Sequence, residues 1–313
     1  MKKFISCDWG TSSFRIRLID SDHLQVISEI TTNDGIAGIY NDWVATGRPS
    51  EERLMYYMNY LQRQLVELKK QSGTLLQDMP VIISGMASST IGMIELPYKK
   101  LPFNVDGSDL NVQRFSDGKL IIVSGACTEN DVLRGEETML IGCGVSLSSE
   151  KHLMIFPGTH SKHLFVENGV ARDFNTYMTG ELFDLLSNRS ILSNSVKKPD
   201  EGKDDHLSFD RGVMEGISGN ILHEIFIVRT NQVIKKLNPS SNYAYLSGLL
   251  IGSELKSVAE QPVDKIILVC GMKLKRQYLR ALQFVAGEKI IEFRDADQAL
   301  IKGHQLISHL FPS

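Results

Sequence analysis

The sequence lacks the features that mark exported, membrane-embedded and metal-rich proteins. It has only four cysteines, which lie far apart and form no CxxC pair: Cys7, Cys127, Cys143 and Cys270. Neither a disulfide framework nor a cysteine metal site is therefore expected. No apolar run approaches the roughly 18 residues of a membrane span, and Asp8 comes before the apolar core of a signal peptide could form. We expect a cytoplasmic protein with no membrane partner.

A strong excess of charge of either sign is also absent. The 313 residues include 34 basic and 37 acidic ones, spread without long blocks of like charge. A general nucleic-acid binder needs a basic patch, so nucleic acid is not an expected partner. With 42% hydrophobic and 23% charged residues, the composition is that of an ordinary globular protein and excludes disordered and fibrous classes.

Several common catalytic motifs are missing as well. The sequence contains no GxxxxGK[ST], GxGxxG, HExxH or GxSxG string. P-loop NTPases, simple dinucleotide-binding folds, zinc proteases and serine hydrolases therefore lose their usual support. Any phosphate chemistry has to rest on another arrangement of residues.

What the sequence does contain is a pattern of short apolar runs that occurs twice. Three strands are predicted in each half, over 2–7, 14–19 and 24–27 and over 153–156, 163–166 and 170–174. Superposing them places Gly10-Thr11-Ser12-Ser13 on Gly158-Thr159-His160-Ser161, an offset of 148 residues. This weak duplication divides the chain near its midpoint.

Helical spacing of apolar residues predicts the remaining elements. Ser50 and Thr179 are plausible N-terminal caps of two helices, and one continuous helix is expected over 211–229. Further helices are expected over 242–258 and 296–310. The apolar runs 81–83, 120–123 and 265–269 predict buried strands, each of which ends at a glycine-containing loop.

The Gly-Thr turn in each half is a candidate phosphate site. A hairpin with glycine lets backbone N–H groups approach a phosphate, and the hydroxyl adds a donor, although the same turn also serves as an ordinary hairpin. Asp8 could hold Mg²⁺ or simply cap the first turn. Arg15 and Lys162, which follow the two turns, could neutralise phosphate charge or be solvated strand residues.

Three further segments carry residues suited to a substrate. An apolar helix expected within 131–142 begins with acids, which either serve in catalysis or complement the helix dipole. The segment 84–90, rich in hydroxyls and small residues, could line a polyol site or cap the next helix. The turn at 270–273 could hold a flat base against its backbone.

Taken in order, these motifs resemble phosphate 1, connect 1, phosphate 2 and adenosine of the sugar kinase, Hsp70 and actin superfamily. A finer resemblance is to the 2-dehydro-3-deoxygalactonokinase family, and it covers nearly the whole chain. It rests on six strings: Asp-Trp-Gly-Thr at 8–11, Gly-Met at 85–86, Arg-Gly-Glu-Glu-Thr at 134–138, Pro-Gly-Thr-His at 157–160, Met-Thr-Gly-Glu-Leu at 178–182 and Leu-Ser-Gly-Leu-Leu-Ile-Gly at 246–252.

The resemblance implies an α/β fold of two ribonuclease-H-like lobes of the actin-like ATPase superfamily, over 1–145 and 146–313, with ATP and substrate in the cleft between them. It also implies ATP- and Mg²⁺-dependent phosphorylation of the 6-hydroxyl of 2-dehydro-3-deoxy-D-galactonate, a step of galactonate catabolism. Open alternatives are 2-dehydro-3-deoxygluconate or another aldonic acid as substrate, a non-catalytic sugar sensor, and an assembly module. A sensor of this superfamily would carry a DNA-binding helix pair in front of the fold, for which a first strand starting at residue 2 leaves no room. The helical surface 211–229 is a candidate homodimer seam.

The resemblance also implies a role for each candidate site residue. The implied Mg²⁺ residue is Asp8. The implied phosphate-site residues are Gly10, Thr11, Ser12, Arg15, Gly158, Thr159 and Lys162. The implied adenine-side residues are Gly271 and Met272. The implied sugar-acid residues are Gly85, Met86, Ala87, Ser88 and the cation Arg134. The implied base is Glu136, but related kinases have Asp there, so Glu137 and Asp131 remain rival bases.

Overall fold

A computed structural model describes residues 3–115, 118–145, 150–200, 202 and 205–311. The chain forms two compact units. The first comprises Met1–Ser149, Glu167–Asp173 and Ala296–Ser313, and the second comprises Glu150–Val166 and Phe174–Asp295. The predicted start of the second lobe, residue 146, lies outside the described residues. The predicted second lobe also included the final helix, which the structure places in the first unit.

The first unit is built on a six-stranded sheet of order β3-β2-β1-β4-β8-β7 and a three-stranded sheet of order β10-β9-β5. Strand β1 is antiparallel to β2 and parallel to β4. Strand β6 pairs with the start of β13. The elements are β1 (Lys3–Trp9), β2 (Phe14–Asp20), β3 (Gln25–Thr32), α1 (Ile36–Ala45), α2 (Arg53–Ser72), β4 (Val81–Gly85), β5 (Lys99–Lys100), β6 (Phe103–Asn104), β7 (Val112–Phe115), β8 (Leu120–Val123), β9 (Ala126–Cys127), β10 (Val132–Leu133), α3 (Glu136–Gly142) and α9 (Ala296–Leu310).

Alternation along β1 separates an apolar face of this sheet from a polar one. Cys7 and Trp9 are buried in the core cluster that includes Tyr57 of α2. Successive strand residues point to opposite faces, so Ser6 and Asp8 share the other face. There the imidazole of His304, on α9, lies 2.7 Å from the Ser6 hydroxyl. The last helix is thus tied to the central strand of the first unit.

Helix α9 also packs closely against α3. A Cβ at Gly142 would lie 1.7 Å from the carbonyl oxygen of Ala299, and a Cβ at Gly303 would lie 2.0 Å from that of Thr138. No side chain fits at such distances, so the two backbones can touch only because both positions are glycine. This contact explains why the final helix belongs to the first unit and not, as predicted, to the second lobe.

The second unit repeats the strand order of the first. Its sheet runs β15-β14-β11-β12-β13, with a hairpin series followed by the parallel strands β14 and β15, as β3-β2-β1 is followed by β4 and β8. The shared order confirms the predicted duplication. The elements of this part of the chain are β11 (Lys151–Phe156), β12 (Ser161–Glu167), β13 (Val170–Tyr177), α4 (Thr179–Arg189), α5 (His206–Ser218), α6 (Ile221–Val233), α7 (Pro239–Leu255), β14 (Lys265–Cys270), α8 (Met272–Leu282) and β15 (Ile290–Asp295). The end of β12 and the first half of β13 fall within Glu167–Asp173, which belongs to the first unit.

The string Leu-Ser-Gly-Leu-Leu-Ile-Gly lies on α7 and serves packing. A Cβ at Gly248 would lie 2.1 Å from the carbonyl oxygen of Phe209, and a Cβ at Gly252 would lie 2.3 Å from that of Val213. Both contacts are made to α5. These glycines therefore allow two core helices to cross in backbone contact.

Three predictions about helices are wrong. The expected helix over 211–229 is two helices, because Gly219 is extended and the side chain of Asn220 accepts the backbone N–H of Leu222 to start α6. Ser50 is no cap but begins a short 3₁₀ helix after Pro49. Thr179 is the first residue of α4, and its hydroxyl donates to Glu254. Within the described residues, no helix is long and apolar enough to span a membrane.

Candidate active site

The first Gly-Thr turn rests on the N-terminus of α1. The N–H of Ile36 donates to the carbonyl oxygen of Gly10 at 2.9 Å, and the N–H of Ala37 donates to that of Thr11 at 3.1 Å. A Cβ at Gly35 would lie 2.3 Å from the Thr11 oxygen. The carbonyls of the turn are thus held by the helix, while Thr11 and Ser12 remain exposed.

The second Gly-Thr turn is held by α4 in the same way. The N–H of Glu181 donates to the carbonyl oxygen of Thr159 at 3.0 Å. A Cβ at Gly180 would lie 2.4 Å from the carbonyl oxygen of Gly158. The sequence analysis does not predict that Gly180 or Gly35 lies against a Gly-Thr turn, although Gly180 belongs to the string 178–182. A glycine at a helix start, after a repeated Gly-Thr hairpin, was the available signal.

Gly158 itself has no structural need to be glycine. It has no positive φ, and a Cβ there would meet no described atom within 4 Å. The same holds for Gly271, an exposed residue in extended conformation just before α8. Open space beside an unstrained glycine is what close approach of a ligand to the backbone requires. The structure therefore leaves room for a phosphate at the second turn and for a nucleobase at the start of α8, where Met272 is 67% exposed.

Asp8 carries a carboxylate with no hydrogen-bond or ion-pair partner among the described residues. It is half-buried near the end of β1 and lies opposite Arg15 in the strand register. Burial raises the pKa of Asp8, while the charges of Arg15 and Arg17 oppose that rise. The guanidinium of Arg15 is itself paired with Asp297, 2.8 Å away. A free, partly desolvated carboxylate is suited to a cation.

The donor set fits Mg²⁺ held largely through a ligand. Within the described ranges, no group of three or more His, Cys, Asp or Glu side chains could hold a metal ion. Asp8 would therefore hold Mg²⁺ together with phosphate oxygens and water. Mg²⁺ commonly binds in this way at phosphate sites.

Gly85 brings three predicted parts of the site together in the first unit. It ends β4 with φ of 88°, and a Cβ there would lie 2.8 Å from the Trp9 carbonyl oxygen and 3.5 Å from Oδ1 of Asp8. A Cβ at Gly135 would in turn lie 3.9 Å from the Cα of Gly85. The predicted metal residue, the predicted sugar-acid loop and the start of α3 are thus neighbours.

The two glutamates at the start of α3 have different surroundings. Glu137 is fully buried, and it accepts the N–H of Gly135 at 2.7 Å and the hydroxyl of Thr138 at 2.9 Å. Burial, followed by the charge of Glu136, raises the pKa of Glu137 to about 7. Glu136 is half-buried and accepts the N–H of Arg134 at 3.0 Å. Only Glu136 of this pair is accessible to a ligand.

The third rival base, Asp131, also has an accessible side chain. It is half-buried and lies just before β10, where its carboxylate accepts the N–H of Val132 at 2.8 Å.

Arg134 is oriented by residues that sequence reasoning did not connect to it. Its guanidinium donates to the Ser88 hydroxyl at 2.6 Å and lies over the ring of Tyr98, 4.4 Å from the centroid. Within the part of the chain that the structure describes, it makes no ion pair with a carboxylate. Arg134 is therefore not an ion-pair partner of the adjacent glutamates. Nothing in the local sequence pointed to Tyr98.

Some predicted site residues are placed away from any ligand surface. Ala87 and Ser88 are fully buried, and the Ser88 hydroxyl accepts a hydrogen bond from Arg134, whereas Met86 is half-buried. Lys162 lies on β12 and is only 6% exposed. His160 follows the second Gly-Thr turn and was not among the predicted site residues. Its Nε2 lies 2.5 Å from the Glu181 carboxylate at the second turn.

Comparison with known proteins identifies the family. The family model for 2-keto-3-deoxy-galactonokinase matches residues 8–307. The 2-dehydro-3-deoxygalactonokinase of Escherichia coli K12 is 31% identical over 98% of both chains. A crystal structure described as a 2-dehydro-3-deoxygalactonokinase protein from Sinorhizobium meliloti is 27% identical, covers 99% of this chain and 97% of its own, and has a TM-score of 0.79.

A more distant solved structure supports the fold alone. The activator of 2-hydroxyisocaproyl-CoA dehydratase from Clostridium difficile, solved with ADPNP, has a TM-score of 0.52 at 14% identity, covering 97% of this chain and 93% of its own. The predicted α/β fold is confirmed. From these matches along nearly its whole length, the chain belongs to the 2-keto-3-deoxy-galactonokinase family of phosphotransferases.

Proposed function

We propose that the chain transfers the γ-phosphoryl group of ATP to the 6-hydroxyl of 2-dehydro-3-deoxy-D-galactonate, yielding the 6-phosphate and ADP in galactonate catabolism. The observation that carries the proposal is the neighbourhood of Gly85 in the first unit. There a Cβ at Gly85 would lie 3.5 Å from Oδ1 of the free Asp8 carboxylate. A Cβ at Gly135, just before α3, would lie 3.9 Å from the Cα of Gly85. Family membership and a relative named for this activity support the same substrate.

Glu136 is the proposed general base at the acceptor hydroxyl. Glu136 takes the proton of the 6-hydroxyl as its oxygen bonds to the γ-phosphorus, and the bond from that phosphorus to the bridging oxygen of ADP breaks. Glu136 suits this role because it is accessible, whereas Glu137 is sealed in the protein. Such phosphoryl transfer depends mainly on positioning and charge neutralisation.

The nucleotide-binding residues that we propose are those predicted from the sequence. The first-turn residues Gly10, Thr11 and Ser12 and the second-turn residues Gly158 and Thr159 would bind its phosphates. The adenine would lie against Gly271 and Met272. Asp8 would hold Mg²⁺, which when bound supplies charge neutralisation at the phosphate oxygens. Arg15, already paired with Asp297, would contribute charge near the first turn.

Arg134 would bind the carboxylate of the sugar acid. Stacking on Tyr98 and donation to Ser88 hold the plane of its guanidinium and use one of its five N–H donors. The remaining donors suit bidentate binding of a carboxylate.

The decisive experiment is a coupled ADP-release assay with Mg-ATP and each of two acids, 2-dehydro-3-deoxygalactonate and 2-dehydro-3-deoxygluconate. We expect strong preference for the galacto acid. Arg134→Met should raise KM for the acid at least tenfold with little change in KM for ATP, whereas Arg134→Lys should recover only part of the loss because it cannot bind bidentately. Preference for the gluco acid would change the substrate, and no release with either acid would favour a sensor.

We also propose that the enzyme acts in the cytoplasm as a homodimer, without nucleic-acid or membrane partners. Support for a second copy comes from α6, on which Leu222 is 81% and Phe226 58% exposed one helical turn apart. Light scattering of the wild-type protein and of Phe226→Asp tests this assembly.

A further inference from the structure

A buried carboxylate in the second unit has no role in the reaction proposed above. Glu254, on α7, is 3% exposed. Its Oε1 accepts the Ser161 hydroxyl at 2.7 Å and Nε2 of His163 at 3.0 Å. Its Oε2 accepts the Tyr278 hydroxyl at 2.8 Å and the hydroxyl of Thr179. Four donors from three elements, β12, α4 and α8, thus meet at one side chain.

The charge state of this cluster follows from its donors. Burial raises the pKa of Glu254, but the hydrogen bond and charge of His163 and the hydroxyl donors outweigh it, so the pKa lies below its ordinary value. An ionised carboxylate only accepts hydrogen bonds, so each hydroxyl donates and His163 carries its proton on Nε2. A buried carboxylate satisfied on both oxygens fixes the position of every partner.

The partners of Glu254 lie beside the segments assigned to the nucleotide. Ser161 begins β12 immediately after the second Gly-Thr turn. Thr179 directly precedes Gly180, whose backbone lies against the carbonyl of Gly158. Tyr278 lies on α8, which begins directly after the adenine-side Gly271. A single side chain therefore connects the turn, the helix that supports the turn and the helix that follows the adenine-side residue.

We propose that Glu254 is a positioning residue for ATP, which holds the second Gly-Thr turn and the start of α8 in the geometry that binds the nucleotide. The inference rests on the proposed function, since it takes these segments as the nucleotide site. Glu254 contacts no ligand itself and acts through Ser161, Thr179 and Tyr278.

The test is nucleotide binding by Glu254→Gln, measured by fluorescence titration with a mant-labelled ADP and no sugar acid present. The NH₂ group of the glutamine is a hydrogen-bond donor, and it would face groups that are themselves donors. We therefore expect the dissociation constant for mant-ADP to rise at least tenfold. KM for the sugar acid should change less than twofold. Glu254→Asp, which keeps the charge but shortens the side chain, should bind more tightly than the glutamine variant. Failure of the wild-type protein to bind nucleotide would refute the proposed function, whereas equal binding by wild type and Glu254→Gln would refute only the positioning role.

A matched control separates positioning from loss of stability. Asn242 is fully buried in the same unit and donates to the carbonyls of Ser195 and Val228 at 2.9 and 2.7 Å, away from the Glu254 cluster. Asn242→Ala should lower the melting temperature while leaving mant-ADP binding unchanged. If it weakens binding as much as Glu254→Gln at a similar loss of stability, the proposal is overturned.

Single-donor variants keep the test available if Glu254→Gln does not fold. Thr179→Val and Tyr278→Phe each remove one donor to the carboxylate, and each should weaken mant-ADP binding several-fold. Unchanged binding in both folded variants would overturn the positioning role.

Discussion

Glu136 and Glu137 are adjacent, but their different burial predicts that substituting Glu136 lowers kcat strongly and substituting Glu137 does not. Glu136→Gln should lower kcat by a factor of about 10² to 10⁴, the usual contribution of a general base, while nucleotide binding changes little. Steady-state kinetics together with mant-ADP titration would measure both quantities. The reason is that the glutamine keeps the shape of the side chain but cannot take the proton of the hydroxyl.

Two variants serve as controls for the assignment of the base. Glu137→Gln should retain most activity, since its carboxyl is fully buried, and Asp131→Asn tests the remaining rival. Near-normal turnover of Glu136→Gln, with loss in either of the other two, would transfer the role to that residue.

Glu137 also predicts how stability depends on pH. Burial, and then the charge of Glu136, raises its pKa from 4.5 to about 7 in the folded protein, so between those values the folded state binds a proton that the unfolded state lacks. This contribution to stability is full below pH 4.5 and is lost as pH rises through about 7. Glu137→Gln should therefore gain about 3 kcal/mol relative to wild type between pH 4 and pH 8.

Urea unfolding at both pH values would measure the difference between Glu137→Gln and the wild type. A pH-independent difference would show that folding does not shift the pKa of Glu137.

At the scale of elements, the second turn and its supporting helix make different demands on their glycines. Gly158→Ala adds a Cβ that meets nothing within 4 Å, whereas Gly180→Ala places one 2.4 Å from the Gly158 carbonyl oxygen. The first variant should keep its melting temperature but bind nucleotide at least tenfold more weakly, because the methyl occupies the space left for a phosphate. The second should also lose about 1 to 3 kcal/mol of stability from overpacking.

Differential scanning fluorimetry with and without ATP would measure both effects in the two variants. Normal nucleotide binding by a stable Gly158→Ala would show that no phosphate approaches this glycine.

The helices show where periodicity succeeds and where it fails. The final helix was predicted over 296–310 and is observed as Ala296–Leu310, since its apolar spacing is regular and unbroken. The predicted helix over 211–229 failed because the apolar spacing continues across the break at Gly219 and Asn220, where backbone extension and a side-chain cap decide the outcome. Helix α1 was missed because its start is fixed by contact with the first turn and not by a local signal.

At the scale of the whole molecule, His304 predicts a sensitivity to acid. Its ring lies between the hydroxyls of Ser6 and Ser84, and burial, followed by the charge of Arg17, lowers its pKa from 6.5 to about 3. The unfolded state therefore binds the proton first as the pH falls. Its contribution, about 5 kcal/mol, is present above pH 6.5 and is lost as pH falls towards 3.

Acid unfolding followed by circular dichroism tests this contribution. His304→Gln should be less stable than wild type at pH 7 yet show a shallower loss between pH 6.5 and pH 4. Parallel curves for the two proteins would exclude His304 as the titrating group.

Much of the fold followed from the sequence because the hairpins, the strand runs and the repeated Gly-Thr turns are local patterns. Less of the candidate site could be predicted from the sequence. Arg134 was named as a cation, but its stacking on Tyr98 joins residues that are 36 positions apart and brought together only by folding. The sequence predicts Asp8 as the Mg²⁺ residue, but the closeness of its carboxylate to Gly85 depends on β1 lying beside β4. Chemical type can be predicted from sequence, whereas partners distant along the chain require the sheet order.

The placement of α9 in the first unit has a consequence for synthesis on the ribosome. After residue 149 the chain builds the second unit, interrupted only by Glu167–Asp173 of the first, and then returns to supply the helix whose Gly303 packs against Thr138, close to the proposed base. Domains generally fold as they emerge, N-terminal first. In this chain the second unit is completely synthesised before the first unit is. The helix that bears Glu136 therefore lacks its packing partner, α9, until translation has passed the second unit. The proposed base, Glu136, therefore lies on an incompletely packed helix until after the second Gly-Thr turn has been synthesised.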